Sequence, residues 1–241
     1  MDLTSYELRR LSQNGEDGVI GELLRQIGAP VRFFVEFGAE AGVEGNCAAL
    51  GDDGWPGLLL EADPAKAERL AARWAHRADV VTRCCAITPE NVEAEFRRAS
   101  VPAEPALVSI DVDGADWHIW RVLVAYRPRL LIIEYNGSLP IASRLVQPLE
   151  SGRAWDGTDY FGASLGAMEQ LGRAKGYELV HTEQAGVNAF FVREDLLEGT
   201  SLPTGSAVTR RVANYFGSGG GHPRDPHGRP WLHLAPDATA P

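Results

Sequence analysis

The sequence predicts an α/β protein, a mostly parallel sheet with helices on both faces. Three features predict it. Short apolar runs alternate with stretches of helical periodicity as far as residue 193. The runs, among them GLLLE at 57–61 and LLIIEY at 130–135, lack period-two alternation, so both of their faces are covered. Several runs end in an acidic residue, and a parallel sheet places ligands beyond the carboxyl ends of its strands.

The elements follow in order. Residues 5–15 are polar, and a helix comes next with Ile20, Leu23, Leu24 and Ile27 on one face. Gly28 and Pro30 end it. Arg32 to Phe37 is the first strand, and its turn runs through Gly38, Gly42 and Gly45. Residues 46–53 suit a short helix, and Gly57 to Glu61 is the second strand. Asp63-Pro64 opens a helix to about His76, with Asp63 as cap and proline at the first helical position. Val80 to Ala86 is the third strand and Pro89 to Ala99 a helix. Leu107 to Asp111 is the fourth strand, followed by a helix from Asp116 to Val124. Leu130 to Tyr135 is the fifth. Residues 137–162 read as a long functional insertion. Ser164 to Lys175 is a helix ended by Gly176. Tyr177 to Thr182 and Ala189 to Arg193 make a last, antiparallel part of the sheet. Residues 217–230, GSGGGHPRDPHGRP, have a composition that forms no core and read as linker, mobile lid or tail.

The 241 residues are enough for one large domain with a substantial core. A net charge of -10 argues against non-specific nucleic-acid binding, which needs many Lys and Arg. Cys47, Cys84 and Cys85 have no zinc-ligand or C-x-x-C spacing and fit unpaired thiols in a reducing compartment. No apolar signal segment opens the sequence, and no apolar run of about 18 residues suggests a membrane span. The expectation is a soluble, cytoplasmic protein with no membrane partner.

The candidate site begins at Glu36 and the glycines that follow. Their spacing is not G-x-G-x-x-G, and a structural tight turn is the alternative. Glu61 ends the second strand, where a carboxylate can accept hydrogen bonds from the two hydroxyls of a ribose. Ala86, beyond the third strand, would lie near an adenine. Asp111, Asp113 and Asp116 fall within six residues and repel one another, so they call for solvent, donors or a cation. That cation could be a divalent metal such as Mg²⁺, a sulfonium or an amine. Glu134 and Asn136 end the next strand and could meet Asp111. A base is available in Asp111 or His118. His118 is alternatively a packing histidine and Asp116 a helix cap. Ser12 to Asp17, including Gln13, folds over a cofactor or simply caps the first helix, with Asn14 and Asp17 as a capping box. Trp155, Asp159, Tyr160 and Phe161 wall a substrate or anchor the insertion. His222, His227 and His233 lack a zinc motif.

Taken together, SQNGEDG (12–18), FVEFGAEAGVEGN (34–46), LLLEADP (58–64), SIDVDGADWHIW (109–120), RLLIIEYN (129–136), FGASLGAMEQLGRAKGYELV (161–180) and VNAFFVR (187–193) form an ordered set. With it the chain resembles the FkbM-like group of class I S-adenosylmethionine-dependent methyltransferases. The resemblance implies a Rossmann-like seven-stranded, mostly parallel sheet over residues 1–193. Residues 1–30 would be an N-terminal cap, 137–162 a substrate-side insertion and 194–241 a C-terminal extension. It implies S-adenosylmethionine held by Gln13, Glu36, Gly38, Gly42, Asn46, Glu61, Ala86 and Asp111, with Asp111 beside the donor sulfur and the acceptor. The implied activity is O-methylation of a hydroxyl on a small molecule, a glycoside, sugar or other secondary metabolite. Related O-methyltransferases hold a metal with an Asp after the fourth strand and an adjacent acid-amide pair after the fifth. Here Asp111, Glu134 and Asn136 correspond, although Tyr135 separates the pair. A homo-oligomer, another nucleotide-dependent enzyme such as an oxidoreductase, and a non-catalytic scaffold are the remaining alternatives.

Overall fold

The computed structural model describes residues 1–151, 155–217 and 219–235. The first helix, α1, spans Glu16–Ile27 and leads into strand β1, Phe34–Phe37. Helix α2 is Ala48–Asp52, β2 Gly57–Glu61, α3 Pro64–Trp74 and β3 Val80–Cys84. Helix α4 is Val92–Arg98, β4 Leu107–Ile110, α5 Asp116–Val122 and β5 Leu130–Glu134. A short strand β6, Leu145–Val146, lies in the insertion. Helix α6, Leu165–Ala174, is followed by β7, Tyr177–Thr182, and β8, Asn188–Arg193. Strand β9 is Leu232–His233.

Seven strands form one sheet in the order β3-β2-β1-β4-β5-β8-β7. Strands β1 to β5 pair parallel, and β8 runs antiparallel to both β5 and β7. This is the predicted seven-stranded, mostly parallel sheet. The chain winds outward from β1 to β3, then returns to place β4 on the other side of β1. The connections reverse direction between β1 and β4, and a sheet of this topology places ligands at that switch, beyond the strands' carboxyl ends.

The strands are buried on both faces, which explains their unbroken apolar character. Val35, Phe37, Leu58, Leu60, Val108 and Ile110 pack with Phe96, Ile119, Trp120 and Met168 of α4, α5 and α6. Phe34, Leu59, Leu107 and Ile132 pack on the other face with Ile20 and Leu23 of α1 and Leu70 and Trp74 of α3. Residues 1–30 thus contribute a core helix. Asp63 caps α3 as expected: its Oδ1 accepts from the amides of Ala65 and Lys66 at 2.8 and 2.9 Å.

Two local expectations are corrected. The Asn14–Asp17 capping box does not form. Helix α1 starts at Glu16 after Gly15, with no side-chain cap bond. Instead Asp17 Oδ2 gathers the amides of Arg10, Leu11 and Ser12, and Glu16 Oε2 those of Asn14 and Gly15. The acids thereby fold the preceding loop onto the start of α1. The Gly/Pro-rich stretch at 217–230 is also no free linker in the described residues: its backbone docks on the insertion. Asp159 N donates to Pro223 O, Asp225 N to Asp159 Oδ1, and Tyr160 OH to Pro230 O. Just beyond it, β9 pairs with β6.

Candidate active site

Strand β1 delivers the chain into its turn at Gly38. This residue has φ +67°, and a Cβ there would lie 2.0 Å from the carbonyl oxygen of Asp111. The turns after β1 and β4 therefore touch through their backbones, and only glycine permits it. Glu36 is buried on the α1 face. Its Oε1 accepts from Asn46 N at 2.5 Å and its Oε2 from Cys47 N at 3.2 Å. Asn46 Nδ2 in turn donates to Ser109 Oγ at 3.0 Å. Burial pushes the Glu36 carboxyl up to about 7, against the pull of the two amides. Glu36 and Asn46 thus hold the turn closed. Gly42 packs against Leu70, Arg73 and Trp74 of α3.

Two non-glycine residues of this turn are left-handed, Glu40 at φ +50° and Glu44 at +88°. Such conformations cost on the order of 1–3 kcal/mol and persist where the surroundings fix them. Lys66 Nζ reaches Glu40 Oε1 at 2.6 Å, and Arg9 Nη2 reaches Glu44 Oε1 at 3.0 Å. Arg10 also pairs with Asp53 through both Nη atoms. The segment carrying exposed Gln13 is in this way fastened beside the first turn.

Glu61 is buried at the end of β2. Its Oε2 accepts from Glu40 N and its Oε1 from Asp63 N, each at 2.8 Å. A carboxylate has about four lone-pair positions, so two remain for ligand hydroxyls. Ala86 is exposed beyond β3, and its carbonyl accepts from Asn91 Nδ2 at 2.9 Å.

The acidic side forms where β4 and β5 end. One carboxylate oxygen each from Asp111, Asp113 and Glu134 lies within 4.8 Å of the others. Asp113 is turned into the group by a left-handed φ of +56°. Burial, then the neighbouring carboxylates, push Asp111 and Glu134 well above the usual carboxylate range. Glu134 Oε2 is buried and has no hydrogen-bond partner among the described residues. Three acids this close are offset by solvent at exposed Asp113, by a shared proton or by a cation, and oxygen donors suit a hard divalent one. Asp116 is separate from this group. Its two oxygens accept from Val112 N and Gly114 N at 2.9 Å, closing the turn before α5.

Two expected site residues are spent elsewhere. Asn136 does not join Asp111 and Glu134: its Nδ2 donates to the carbonyls of Asp159 and Phe161, and its Oδ1 accepts from Ser138 N. Asp113 stands in the group in its place. His118 is buried, with Nε2 2.8 Å from the carbonyl of Gln147 and its ring edge-on to Trp117. A carbonyl only accepts, so Nε2 donates and His118 fastens the insertion through that nitrogen.

The sequence did not single out Tyr215, and it treated His222 only as a possible zinc ligand. Both come from the C-terminal extension. His222 N donates to Ser138 Oγ at 3.1 Å. Its ring lies 4.4 Å from that of Tyr215, 4.5 Å from Trp155 and 5.6 Å from Phe161. Burial, with the Glu134 charge adding to it, raises the Tyr215 phenol to about 12. The aromatic group therefore borders the acidic one. Two cavities, of about 410 Å³ lined by Glu178, Leu197 and Thr204 and about 260 Å³ lined by Leu3, Val180 and His181, lie along β7 and hold no comparable chemistry.

No family model matches this sequence, and no curated protein matches it. Similar solved structures include the Synechocystis magnesium protoporphyrin IX methyltransferase ChlM with bound SAH. It is 12% identical, with a TM-score of 0.49, over 74% of this chain and 81% of that one. The N-terminal domain of EvdMO1 with SAH bound is 14% identical, TM-score 0.47, over 76% and 81%. The mitomycin 7-O-methyltransferase MmcR is 18% identical, TM-score 0.40, over 72% and 53%.

Proposed function

We propose that this chain is an S-adenosylmethionine-dependent methyltransferase acting on a hydroxyl of a small acceptor, a sugar-containing molecule or another secondary metabolite. The FkbM-like motifs suggest the same activity. The observation that carries the reading is the contact of Gly38 with the Asp111 carbonyl. The glycine turn, the buried Glu61 carboxylate and the acidic group of Asp111, Asp113 and Glu134 all follow the carboxyl ends of neighbouring parallel strands.

The residues present fit such a donor, which supplies a methyl group on a cationic sulfonium. Glu61 accepts from the ribose hydroxyls through its two remaining lone-pair positions. The Gly38 turn admits backbone close to the methionine end. Asp111 offsets positive charge at the reacting centre, and Asp111 with Glu134 accepts hydrogen bonds from the acceptor hydroxyl and orients it. Alignment of this kind removes a large part of the barrier to a displacement between two bound groups. Asp111, Asp113 and Glu134 would also hold a divalent cation such as Mg²⁺, which would lower the hydroxyl's pKa. The orphaned Glu134 Oε2 favours this second role.

Calorimetric titration with S-adenosylmethionine and S-adenosylhomocysteine, with Mg²⁺ or EDTA, tests the reading. Binding lost in Glu61→Ala supports it, and a Mg²⁺-dependent change supports the cation. Absence of binding under every condition overturns it.

A further inference from the structure

We propose that Asn188 of β8 is a ligand of a divalent-cation site: its side-chain oxygen Oδ1 joins the carboxylates of Asp111, Asp113 and Glu134 around one hard cation. This rests on the cation role given to those three acids above and deepens it. It does not depend on the methyl donor.

Three observations carry it. The first is an oxygen left without a partner. Asn188 is 2% exposed, and its Oδ1 makes no hydrogen bond among the described residues. Turning the amide over gives no relief. Its Nδ2 donates to the buried Glu16 Oε1 at 3.0 Å, and a turned amide would set Oδ1 against that carboxylate. Oδ1 therefore points away from Glu16. A buried amide oxygen with no donor is costly, and such an atom marks the place of a missing ligand.

The second is its neighbour. Asn188 stands directly opposite Glu134 in the antiparallel pairing of β8 with β5. Tyr135 N donates to Val187 O and Arg193 N to Arg129 O, which fixes the alternation along the ladder. Glu134 and Asn188 fall between those bonds as a non-hydrogen-bonded pair, the kind whose Cα atoms are about 4.5 Å apart and whose side chains come closest. Opposite residues share one face of the sheet. Here it is the α1 face, where the pair Ile132–Phe190, two residues away on each strand, is buried. Glu134 Oε2 is itself a buried oxygen without a partner among the described residues. Two adjacent acceptors with no donor call for a positive group between them.

The third is the donor set. One oxygen each of Asp111, Asp113 and Glu134 already lies within 4.8 Å of the others. A hard cation takes about six oxygens or more, and an Asn carbonyl serves as well as a carboxylate. Three carboxylates carry more negative charge than one divalent ion offsets, so an uncharged fourth ligand adds an oxygen without adding repulsion. Asn136 is spent on Asp159, Phe161 and Ser138, and β8 supplies the amide instead. Glu16 at Nδ2, and Glu183 Oε1 on the Asn188 amide at 2.9 Å, hold the ligand in place from behind.

The test is titration of the full chain with Mn²⁺, free Mn²⁺ being read by electron paramagnetic resonance, with Mg²⁺ as competitor. The chain should bind one Mn²⁺ that Mg²⁺ displaces. Asn188→Leu should weaken Mn²⁺ by about tenfold to a hundredfold. Asn188→Asp cannot donate to Glu16 but keeps an oxygen, and should bind Mn²⁺ at least as tightly as the unaltered chain. Circular dichroism checks that both variants fold. Absence of Mn²⁺ binding to the unaltered chain overturns the proposal, even where S-adenosylhomocysteine binds by calorimetry. So does a folded Asn188→Leu whose Mn²⁺ affinity is unchanged within twofold. Equal losses in Asn188→Leu and Asn188→Asp mean that Asn188 acts through Glu16, and also overturn it. If neither variant folds, the unaltered chain labelled with ¹³C at its asparagine side-chain carbonyls is read by ¹³C electron–nuclear double resonance with Mn²⁺ bound. A coupling from a carbon bonded to a ligating oxygen supports the proposal and its absence overturns it. Asn188-dependent Mn²⁺ binding in a chain that binds neither S-adenosylmethionine nor S-adenosylhomocysteine leaves the cation site standing and removes the methyltransferase reading.

Discussion

Replacing Glu61 by Gln separates a ligand contact from a loop staple. In the folded chain the carboxylate accepts two backbone amides, Glu40 N and Asp63 N, each at 2.8 Å. Glutamine keeps one of these bonds through its oxygen and turns a donor toward the other amide. Losing one charge-assisted bond costs ~2 kcal/mol. For a chain of this size that lowers Tm by roughly 4–8 °C. The same change removes the negative charge offered to the ribose hydroxyls, and a further ~2 kcal/mol lost there weakens S-adenosylhomocysteine about thirtyfold. Scanning calorimetry reads the first quantity and isothermal titration the second, below the variant's own transition. A lowered Tm with affinity unchanged within twofold would refute the ribose assignment and leave Glu61 as a staple between two turns.

The remaining predictions concern charge and the strap. Glu36 and Glu183 are held up to about 7 and Asp116 up to about 6, all chiefly by burial. Their folded forms therefore bind protons more tightly than the unfolded chain, so ligand-free stability should fall as pH rises from about 4.5 through 7. Asp225, held down to about 2 by Arg229, is ionised below that window and adds no slope. A Tm that climbs across the window in calorimetry would contradict this sign. Glu134→Gln removes a buried, unpartnered oxygen's charge from beside Asp111 and should raise ligand-free stability by on the order of 1 kcal/mol. It should also abolish any Mg²⁺-induced rise in Tm, whereas a less stable variant would show that Glu134 is satisfied as it stands. Arg229 binds Asp156, Thr158 and Asp225 and stacks 4.1 Å over Tyr160. Arg229→Ala should speed hydrogen exchange at the amides of Asp159 and Asp225 and leave those of β1 and β4 unchanged. Equal exchange in both proteins would mean that the strap is held by its other contacts.

The sheet was legible because its strands are buried on both faces and leave runs that no other element produces. Glu61 and Asp63 were readable for a related reason: strand, acid, cap and proline follow in fixed order, and each has a local cause. The acidic group was harder. At a strand end the side of each residue depends on one dihedral, and the left-handed Asp113 exchanged places with the expected Asn136. The loop before α1 also escaped, because Asp17 and Glu16 bind amides behind them where the spacing suggests a cap ahead. The reading of a composition poor in core residues covered 217–230; the rest of the extension sends Val208 into the core and packs Leu197 and Leu202 against it. Its attachment was hidden because it depends on bonds between distant positions, such as His222 to Ser138 and Tyr160 to Pro230.

The missing side chain at Gly38 has a thermodynamic consequence. With the Asp111 carbonyl resting on that Cα, the turns after β1 and β4 share their fluctuations. A ligand that quiets one turn has already restrained the other, so the entropy of ordering is spent once for two occupants. Donor and acceptor, or donor and cation, should then bind with positive cooperativity even if the mean structure does not move. Linkage makes that coupling equal in both directions.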